Sequence, residues 1–267
     1  MRLLNSMDGS LRGQKQVEII IADGGSTDGQ TLKYYDILRR NGAAKVFCGK
    51  GMPMPALLNA AAKEADRENC LFMDSNVEAL GINWLYDMLS QSERRGCGGV
   101  GPKLIGQDGR LVYTGITIGI GGWQGSPYAG TPDDRESGQK LRFTGTLRTV
   151  SALSWVCMMT PMDLFFNTGC FDESFNETGF DTEYCTRLDR RGYSLIYAPN
   201  VVMKYHGRIQ KVADADGQDR MRYYDTVRDT LIRGDPRYNN NFDYALPSPR
   251  IAVRPRPAAE LNELYRK

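Results

Sequence analysis

Three acidic sites along the 267-residue chain have the residue types and spacing for chemistry. Asp23 opens the turn Gly24-Gly25-Ser26-Thr27-Asp28-Gly29, Asp74 begins the triplet Asp74-Ser75-Asn76, and Asp181 stands two residues before Glu183. Carboxylate and amide oxygens are ligands for hard cations, and a carboxylate held in place accepts protons. Each site alone also has an ordinary explanation. A polar residue at a strand end caps a helix or a turn, D-x-N triplets are common in loops, and Thr178-Gly179-Phe180-Asp181 fits a capping box. His206 is the single histidine and follows Val201-Val202-Met203-Lys204-Tyr205. A lone histidine after a strand is more often structural than a ligand, so both roles stay open.

The elements that must position these residues follow from the apolar pattern. Val17-Glu18-Ile19-Ile20-Ile21-Ala22 is a β-branched run ending at Asp23 and reads as a buried strand. Asp28 is placed to cap a helix over 30–41. A strand over 44–48, a helix over 55–66 and a strand over 70–73 ending at Asp74 continue the alternation. The first 95 residues therefore predict an α/β layer with a mostly parallel sheet. In such sheets ligands sit beyond the carboxyl ends of the strands, where Asp23 and Asp74 both lie. Farther on, two extended segments within 100–120 flank the hairpin turn Gln107-Asp108-Gly109. Residues 119–145 read as a long mobile loop, with 123–135 a candidate lid. A strand over 149–159, a short helix after Pro161, a helix over 180–191, extended runs over 193–198 and 201–205, and a helix over 218–233 complete the body. A Pro-, Asn- and Arg-rich tail begins at Gly234.

Composition narrows the function classes. Hydrophobic residues are 41% and charged residues 25% of the chain, enough for a sizeable core. Lys plus Arg number 34 against 32 for Asp plus Glu, which argues against a dedicated nucleic-acid binder. No apolar run approaches the roughly 20 residues of a membrane span, and the N-terminus has no signal-peptide stretch. The six cysteines form no C-x-x-C pair and read as reduced thiols of a cytoplasmic protein, with Cys70 and Cys157 as core residues. Peripheral contact at the inner face of the cell membrane stays open.

Taken in order, the motifs resemble the family 2 glycosyltransferases. Ile19-Ile20-Ile21-Ala22-Asp23-Gly24-Gly25-Ser26-Thr27-Asp28-Gly29 is similar to the family's first nucleotide-binding motif, and Leu71-Phe72-Met73-Asp74-Ser75-Asn76-Val77 to its D-x-D segment. Gly169-Cys170-Phe171-Asp172-Glu173-Ser174-Phe175 resembles the G-G-F-D-E-x-F signature. Phe180-Asp181-Thr182-Glu183-Tyr184-Cys185-Thr186-Arg187-Leu188, with Gly192-Tyr193 and Ala198-Pro199 behind it, resembles the E-D-x-D-x-C-x-R-L block. The ordered series runs from about Leu3 to Asn241. Asp108-Gly109-Arg110, Thr149-Val150-Ser151-Ala152 and Asp235-Pro236-Arg237-Tyr238-Asn239-Asn240-Asn241 are similar to the bacterial surface-polysaccharide branch with its rhamnosyltransferase-like enzymes.

The resemblance implies a GT-A fold, a mixed sheet flanked by helices. It spans residues 1–233, with a nucleotide-binding half over 1–95, an acceptor and catalytic half over 96–233, and the tail 234–267 outside it. It implies an inverting enzyme that moves one sugar from a nucleotide-sugar donor to a glycan or lipid-linked acceptor in polysaccharide biosynthesis. Asp23, Ser26, Asp28, Asn59 and Asp74 are then expected on the nucleotide. Asp74, Asn76 and His206 would hold Mg²⁺ or Mn²⁺ on the diphosphate, and Lys204, Arg208 and Lys211 form either a solvated face or a diphosphate clamp. Asp181 would be the general base, its helix N-terminus favouring the ionised form and making it a weak base. Asp172, Glu173 and Trp155 fall on the acceptor side, where Trp155 and Trp123 are candidates to stack on a sugar face; burial is the ordinary alternative for Trp155.

The chain also departs from the family pattern. The family's first apolar strand is missing ahead of Met1, Asn76 stands for the last Asp of D-x-D, and Phe180 for the Glu before the catalytic Asp. Both substitutions are expected to remove charge near the metal. No Q-x-x-R-W motif appears, which implies a single addition. The alternatives are a catalytically weakened GT-A domain that binds nucleotide or glycan without turnover, and a nucleotidyltransferase. The latter needs a basic Gly-rich phosphate loop where Gly24–Gly29 is acidic.

Overall fold

The computed structural model of the protein describes residues 2–11, 16–133, 143–209 and 214–252. After α1 (Arg2–Leu11), the β-branched run forms β1 (Ile20–Asp23). Asp28 accepts hydrogen bonds from the Thr31 amide at 2.8 Å and the Thr31 hydroxyl at 2.9 Å, and so starts α2 (Gly29–Arg40). β2 (Lys45–Cys48), α3 (Met54–Lys63), β3 (Asn69–Met73), β4 (Val77–Ala79) and α4 (Trp84–Ser92) complete the first part. The second part holds β5 (Cys97–Ile105), β6 (Leu111–Tyr113), β7 (Thr117–Ile118), β8 (Gln124–Gly125), β9 (Arg148–Val150), β10 (Cys157–Pro161), α5 (Met162–Asn167), α6 (Phe180–Arg190), β11 (Ser194–Tyr205) and α7 (Gly217–Arg233).

Seven strands make the central sheet, in the order β3-β10-β5-β11-β4, with β6 on β5 and β9 on β11. The sheet is mixed. β10 runs antiparallel to both β3 and β5, whereas β11 runs parallel to β5. The expected mostly parallel sheet of the first 95 residues therefore does not form: β1 and β2 are a parallel pair of their own, outside the seven-stranded sheet. Their isolation shows in burial. Ile20, Ile21 and Ala22 are only half-buried despite being apolar, and α2 has no buried residue. Among the described residues nothing pairs with β3 on the side away from β10.

The other strand expectations are met with local differences. Gly109, at φ +72°, makes the turn between β5 and β6, where the Gly106 amide reaches the Arg110 carbonyl at 2.7 Å. The strand expected over 149–159 is two, β9 and β10, because the chain turns at Ser154, whose carbonyl accepts from the Cys157 amide at 3.2 Å. The extended runs 193–198 and 201–205 are one strand, β11, with a register shift between Ala198 and Val202 that absorbs Pro199, Asn200 and Val201. Residues 234–252, read as tail, lie against the body: Asp235 is 0% and Tyr238 5% exposed, and the Gly121 and Tyr128 amides donate to the Tyr244 and Pro247 carbonyls.

An aromatic cluster backs the site. Phe72 of β3, Phe165 of α5, Phe171, and Phe180 and Tyr184 of α6 are all buried, with Phe171 within 5.4 Å of each of the other four, centroid to centroid. Burial of each such side chain contributes about 2–3 kcal/mol, so the cluster fixes α6 firmly against the sheet.

Candidate functional site

Two adjacent residues fasten the two principal acids together. The Asp74 amide donates to the Val156 carbonyl at 2.9 Å, and the Trp155 amide donates to Asp181 Oδ2 at 3.2 Å. On the other side, β4 pairs with β11 from Val77–Tyr205 to Ala79–Met203, and the His206 amide donates to the Asn76 carbonyl at 2.9 Å. Asp74, Asn76, Asp181 and His206, scattered over 133 positions of sequence, are thus brought to one place at the end of the sheet.

Asp181 sits in the first turn of α6, whose N-cap is Gly179 at φ +94°. A side chain there would be strained and would press on Phe175 and Tyr223, so glycine lets the chain enter the helix with Asp181 turned inward. The expected capping box is not formed, since Gly179 offers no side-chain cap. Asp181 is 5% exposed, and its Oδ1 accepts from the Thr182 amide at 2.8 Å. Burial raises its pKa from the ordinary 3.8 to about 6, against the opposing pull of hydrogen bonds from Trp155, Thr182 and Ser154. This corrects the expectation of a carboxylate kept weakly basic by the helix N-terminus: desolvation outweighs the dipole. Tyr113 and Cys185, both buried, are its titratable neighbours, and burial pushes both upward.

The candidate cation ligands fit in type. His206 Nε2 lies 2.6 Å from Glu78 Oε2, and its Nδ1 is buried without a hydrogen-bond partner among the described residues. A carboxylate on one ring nitrogen leaves the other as an acceptor, which is how a ligating imidazole is held. Asp74 Oδ1 accepts from the Asn76 amide at 2.7 Å, folding the triplet back on itself. Asp74, Asn76 and His206 supply carboxylate, amide oxygen and imidazole, but no three His, Cys, Asp or Glu side chains converge among the described residues. The protein's own shell is therefore short of charge. Phe180 is not part of that shortage: it is 0% exposed, stacked among Phe171 and Trp155, and a carboxylate there would point into the core.

Asp23 ends β1, 6% exposed, and accepts from the Gly25 and Ser26 amides, the Ser26 hydroxyl, and the Tyr35 hydroxyl at 3.3 Å. Burial pushes its pKa up, but the hydrogen bonds from Ser26, Tyr35 and Gly25 prevail and hold it below the usual value. Ser26 and Asp28 are exposed on this turn, Asp28 as the cap of α2.

Asn59 was expected on the nucleotide, yet it is 2% exposed and bonded within the protein. It donates to the Phe171 carbonyl at 2.8 Å and to Glu173 Oε1 at 3.0 Å, and accepts from the Phe171 amide at 3.0 Å. With its amide committed, it braces α3 against the 169–173 turn. Asp172 and Glu173 line a cavity of about 500 Å³ with Asn59, Lys63, Glu183 and Arg187, and neither Asp74 nor Asp181 faces it. The acceptor trio is therefore divided, for only Trp155, half-buried, stands at Asp181.

The 123–133 part of the candidate lid is bonded to the body. Ser126 bonds to the Thr114 amide and the Gly115 carbonyl, Gly130 and Thr131 bond to Leu111, and Asp133 pairs with Lys103 at 3.2 Å. The Trp123 carbonyl accepts from Tyr223, and Arg135 lies outside the described residues. Of the cationic trio, Arg208 pairs with Asp214 at 3.3 Å, Lys204 stands beside Glu78, and Lys211 lies outside the described residues.

Sequence reasoning missed Ser154, Thr182 and Gln124. Thr182 Oγ1 donates to Gln124 Oε1 at 2.6 Å, joining β8 to the residue after Asp181. No local pattern marks a contact between residues so far apart in sequence; only the fold makes it.

Fold and site together define a class: the chain has the GT-A fold. The structure of GalNAc-T7 with UDP, GalNAc and Mn²⁺ matches 85% of this chain and 45% of that chain at TM-score 0.64 and 14% identity. A mannosyltransferase of Pyrobaculum calidifontis with GDP-Man and Mn²⁺ matches 88% and 60% at TM-score 0.56 and 15% identity, and S. aureus TarS 1-349 matches 88% and 61% at 0.53 and 18%. Among curated proteins, the O-antigen biosynthesis protein RfbC of Myxococcus xanthus is 28% identical over 242 residues, which are 89% of this chain and 19% of that protein. An uncharacterized protein of Sinorhizobium fredii is 27% identical over 254 residues, 88% of this chain and 27% of that one. The chain thus spans about a fifth to a quarter of the curated relatives it matches. No protein-family profile matches it.

Proposed function

We propose that this domain is an inverting glycosyltransferase that moves one sugar from a nucleotide-sugar donor to a glycan or lipid-linked acceptor in surface-polysaccharide biosynthesis. The observation that carries the reading is the joint fixing of Asp74 and Asp181 by Val156 and Trp155. In this reading one carboxylate serves the donor diphosphate and the other, whose burial raises its pKa to about 6, serves the acceptor. The GT-A fold and the nucleotide-bound neighbours support it.

In this reading Asp23 accepts from the nucleoside, with Ser26 and Asp28 on the same turn. Asp74, Asn76 and His206 hold Mg²⁺ or Mn²⁺, which when bound offsets the charge of the departing diphosphate. Asp181 takes the proton of the acceptor hydroxyl as that oxygen attacks the anomeric carbon. A pKa of about 6 leaves it ionised at neutral pH yet a stronger base than an exposed aspartate. Trp155 stands at Asp181 on the acceptor side, Asp172 and Glu173 belong to the separate cavity they line, and contact with a membrane surface would bring a lipid-linked acceptor to Asp181. Among the described residues no helix is long and apolar enough to cross a membrane.

A second reading, a GT-A domain that binds nucleotide or glycan without turnover, is favoured by Asn76 and by the separation of β1 and β2 from the main sheet. A thermal-shift panel of UDP, GDP and dTDP with and without Mn²⁺ tests nucleotide binding. A ligand at 100 times its Kd stabilises the folded state by about 2.7 kcal/mol, a shift of several degrees. A metal-dependent shift with one diphosphate is expected, and no shift with any of them would overturn the first reading and favour the second.

A further inference from the structure

Asp235 opens a motif, Asp235-Pro236-Arg237, that the reaction itself leaves unexplained. It is completely buried, on the segment that follows α7, and both its carboxylate oxygens are occupied. Oδ2 accepts from the Ile118 amide at 2.7 Å. Oδ1 accepts from the Ser151 hydroxyl and from the Arg237 amide at 2.8 Å. A buried carboxylate is costly unless so satisfied, and two of these donors, Ile118 and Ser151, lie on separate stretches of chain away from Asp235's own.

Each stretch leads to a different oxygen of Asp181. Ile118 is the cross-strand partner of Gln124 in the β7–β8 hairpin, Gln124 accepts from Thr182, and the Thr182 amide donates to Asp181 Oδ1. Ser151 begins the turn that holds Ser154 and Trp155, whose amide donates to Asp181 Oδ2. The two stretches are also joined to each other, since the Ile116 amide donates to the Ala152 carbonyl at 3.0 Å.

We propose that Asp235 is a positioning residue for the base: it clamps the β7–β8 hairpin to the 151–155 turn, and the two together hold the Asp181 carboxylate at both oxygens. This rests on the reading of Asp181 as the general base. Asp23 lies outside the clamp, and Asp74 meets it only through its backbone amide on Val156, its carboxylate being held by the Asn76 amide, so donor binding is expected to change little.

The test compares Asp235→Asn, Gln124→Leu and the double variant with the parent. One readout is nucleoside-diphosphate release from UDP-N-acetylglucosamine, GDP-mannose and dTDP-rhamnose with Mn²⁺. The other is the pH titration of tryptophan emission, with Asp181→Asn as the blank that assigns the Asp181 step. Misplacing a catalytic group by about 1 Å costs up to about 100-fold. Asp235→Asn is therefore expected to lower kcat about 10- to 100-fold with donor KM within about twofold, and to move the Asp181 midpoint away from about 6. Gln124→Leu, cutting one stretch, lowers kcat less, and the double variant falls no further than Asp235→Asn alone, as parts of one unit do. A folded Asp235→Asn with parental kcat and an unmoved midpoint overturns the proposal, as does a double variant whose losses multiply. If Asp235→Asn does not fold, Gln124→Leu decides by the same two readouts. A parent that releases no diphosphate refutes the enzymatic reading, while the emission titration still judges the clamp.

Discussion

At the scale of single residues, Asp181 is the group whose environment departs most usefully from its ordinary one. Its folded pKa of about 6 lies above the ordinary 3.8, so the folded state binds the extra proton between those values. Stability is then fully present below about pH 4 and is lost as pH rises through about 6, by an amount on the order of 3 kcal/mol. Asp181→Asn removes that dependence. Its melting temperature is expected to exceed the parent's at pH 8 and to match it at pH 4, and a variant less stable than the parent at pH 8 would show that ionised Asp181 is not strained by burial. The cation site makes a second claim at this scale. Asn76 supplies a neutral oxygen, so metal is expected to bind the free protein weakly and to bind tightly only with a nucleoside diphosphate completing the shell. Titration calorimetry should find Asn76→Asp stronger for Mn²⁺ alone and His206→Ala weaker in the ternary complex. Tight Mn²⁺ binding by the parent without nucleotide, or an unaffected His206→Ala, contradicts this ligand set.

At the scale of elements, the separated β1–β2 pair should behave differently from the sheet it accompanies. Its strands are half-buried and its helix α2 buries nothing, whereas Val100 and Met159, register partners in β5 and β10, are at most 1% exposed. Amides of β1 and β2 are expected to exchange with solvent at least tenfold faster than those of β5 and β10, as elements with few buried contacts do. Equal protection would mean that the pair unfolds only with the whole. How much was legible beforehand also divides along elements. The strands ending at Asp23 and Asp74, the cap at Asp28, the hairpin at Gly109 and the helix carrying Asp181 were written in local pattern and turn chemistry. Strand order was not, because pairing of β10 between β3 and β5 is a long-range choice that no periodicity encodes. For the same reason the 123–133 segment read as a lid: its glycines signal turns, while the bonds that pin it come from Leu111, Thr114, Lys103 and Tyr223. Asn59 and Phe180 are both buried, which identity at a motif position does not report.

At the scale of the whole molecule, Asp74 at the end of the central sheet and Asp181 on α6 come together, with the aromatic cluster fixing α6 and the segment after α7 packed behind it. In the proposed reaction this assembly transfers a sugar, with Asp181 taking the acceptor proton. The most direct measurement is nucleoside-diphosphate release from the three-donor panel at pH 7.5 with Mn²⁺ and an extracted bacterial glycan as acceptor, for the parent and Asp181→Asn side by side. Acceptor-dependent release by the parent from one donor is expected, with a fall of about 100-fold or more in Asp181→Asn and nucleotide affinity within about twofold. Release by Asp181→Asn within a few-fold of the parent would contradict it and leave Asp181 a buried structural carboxylate.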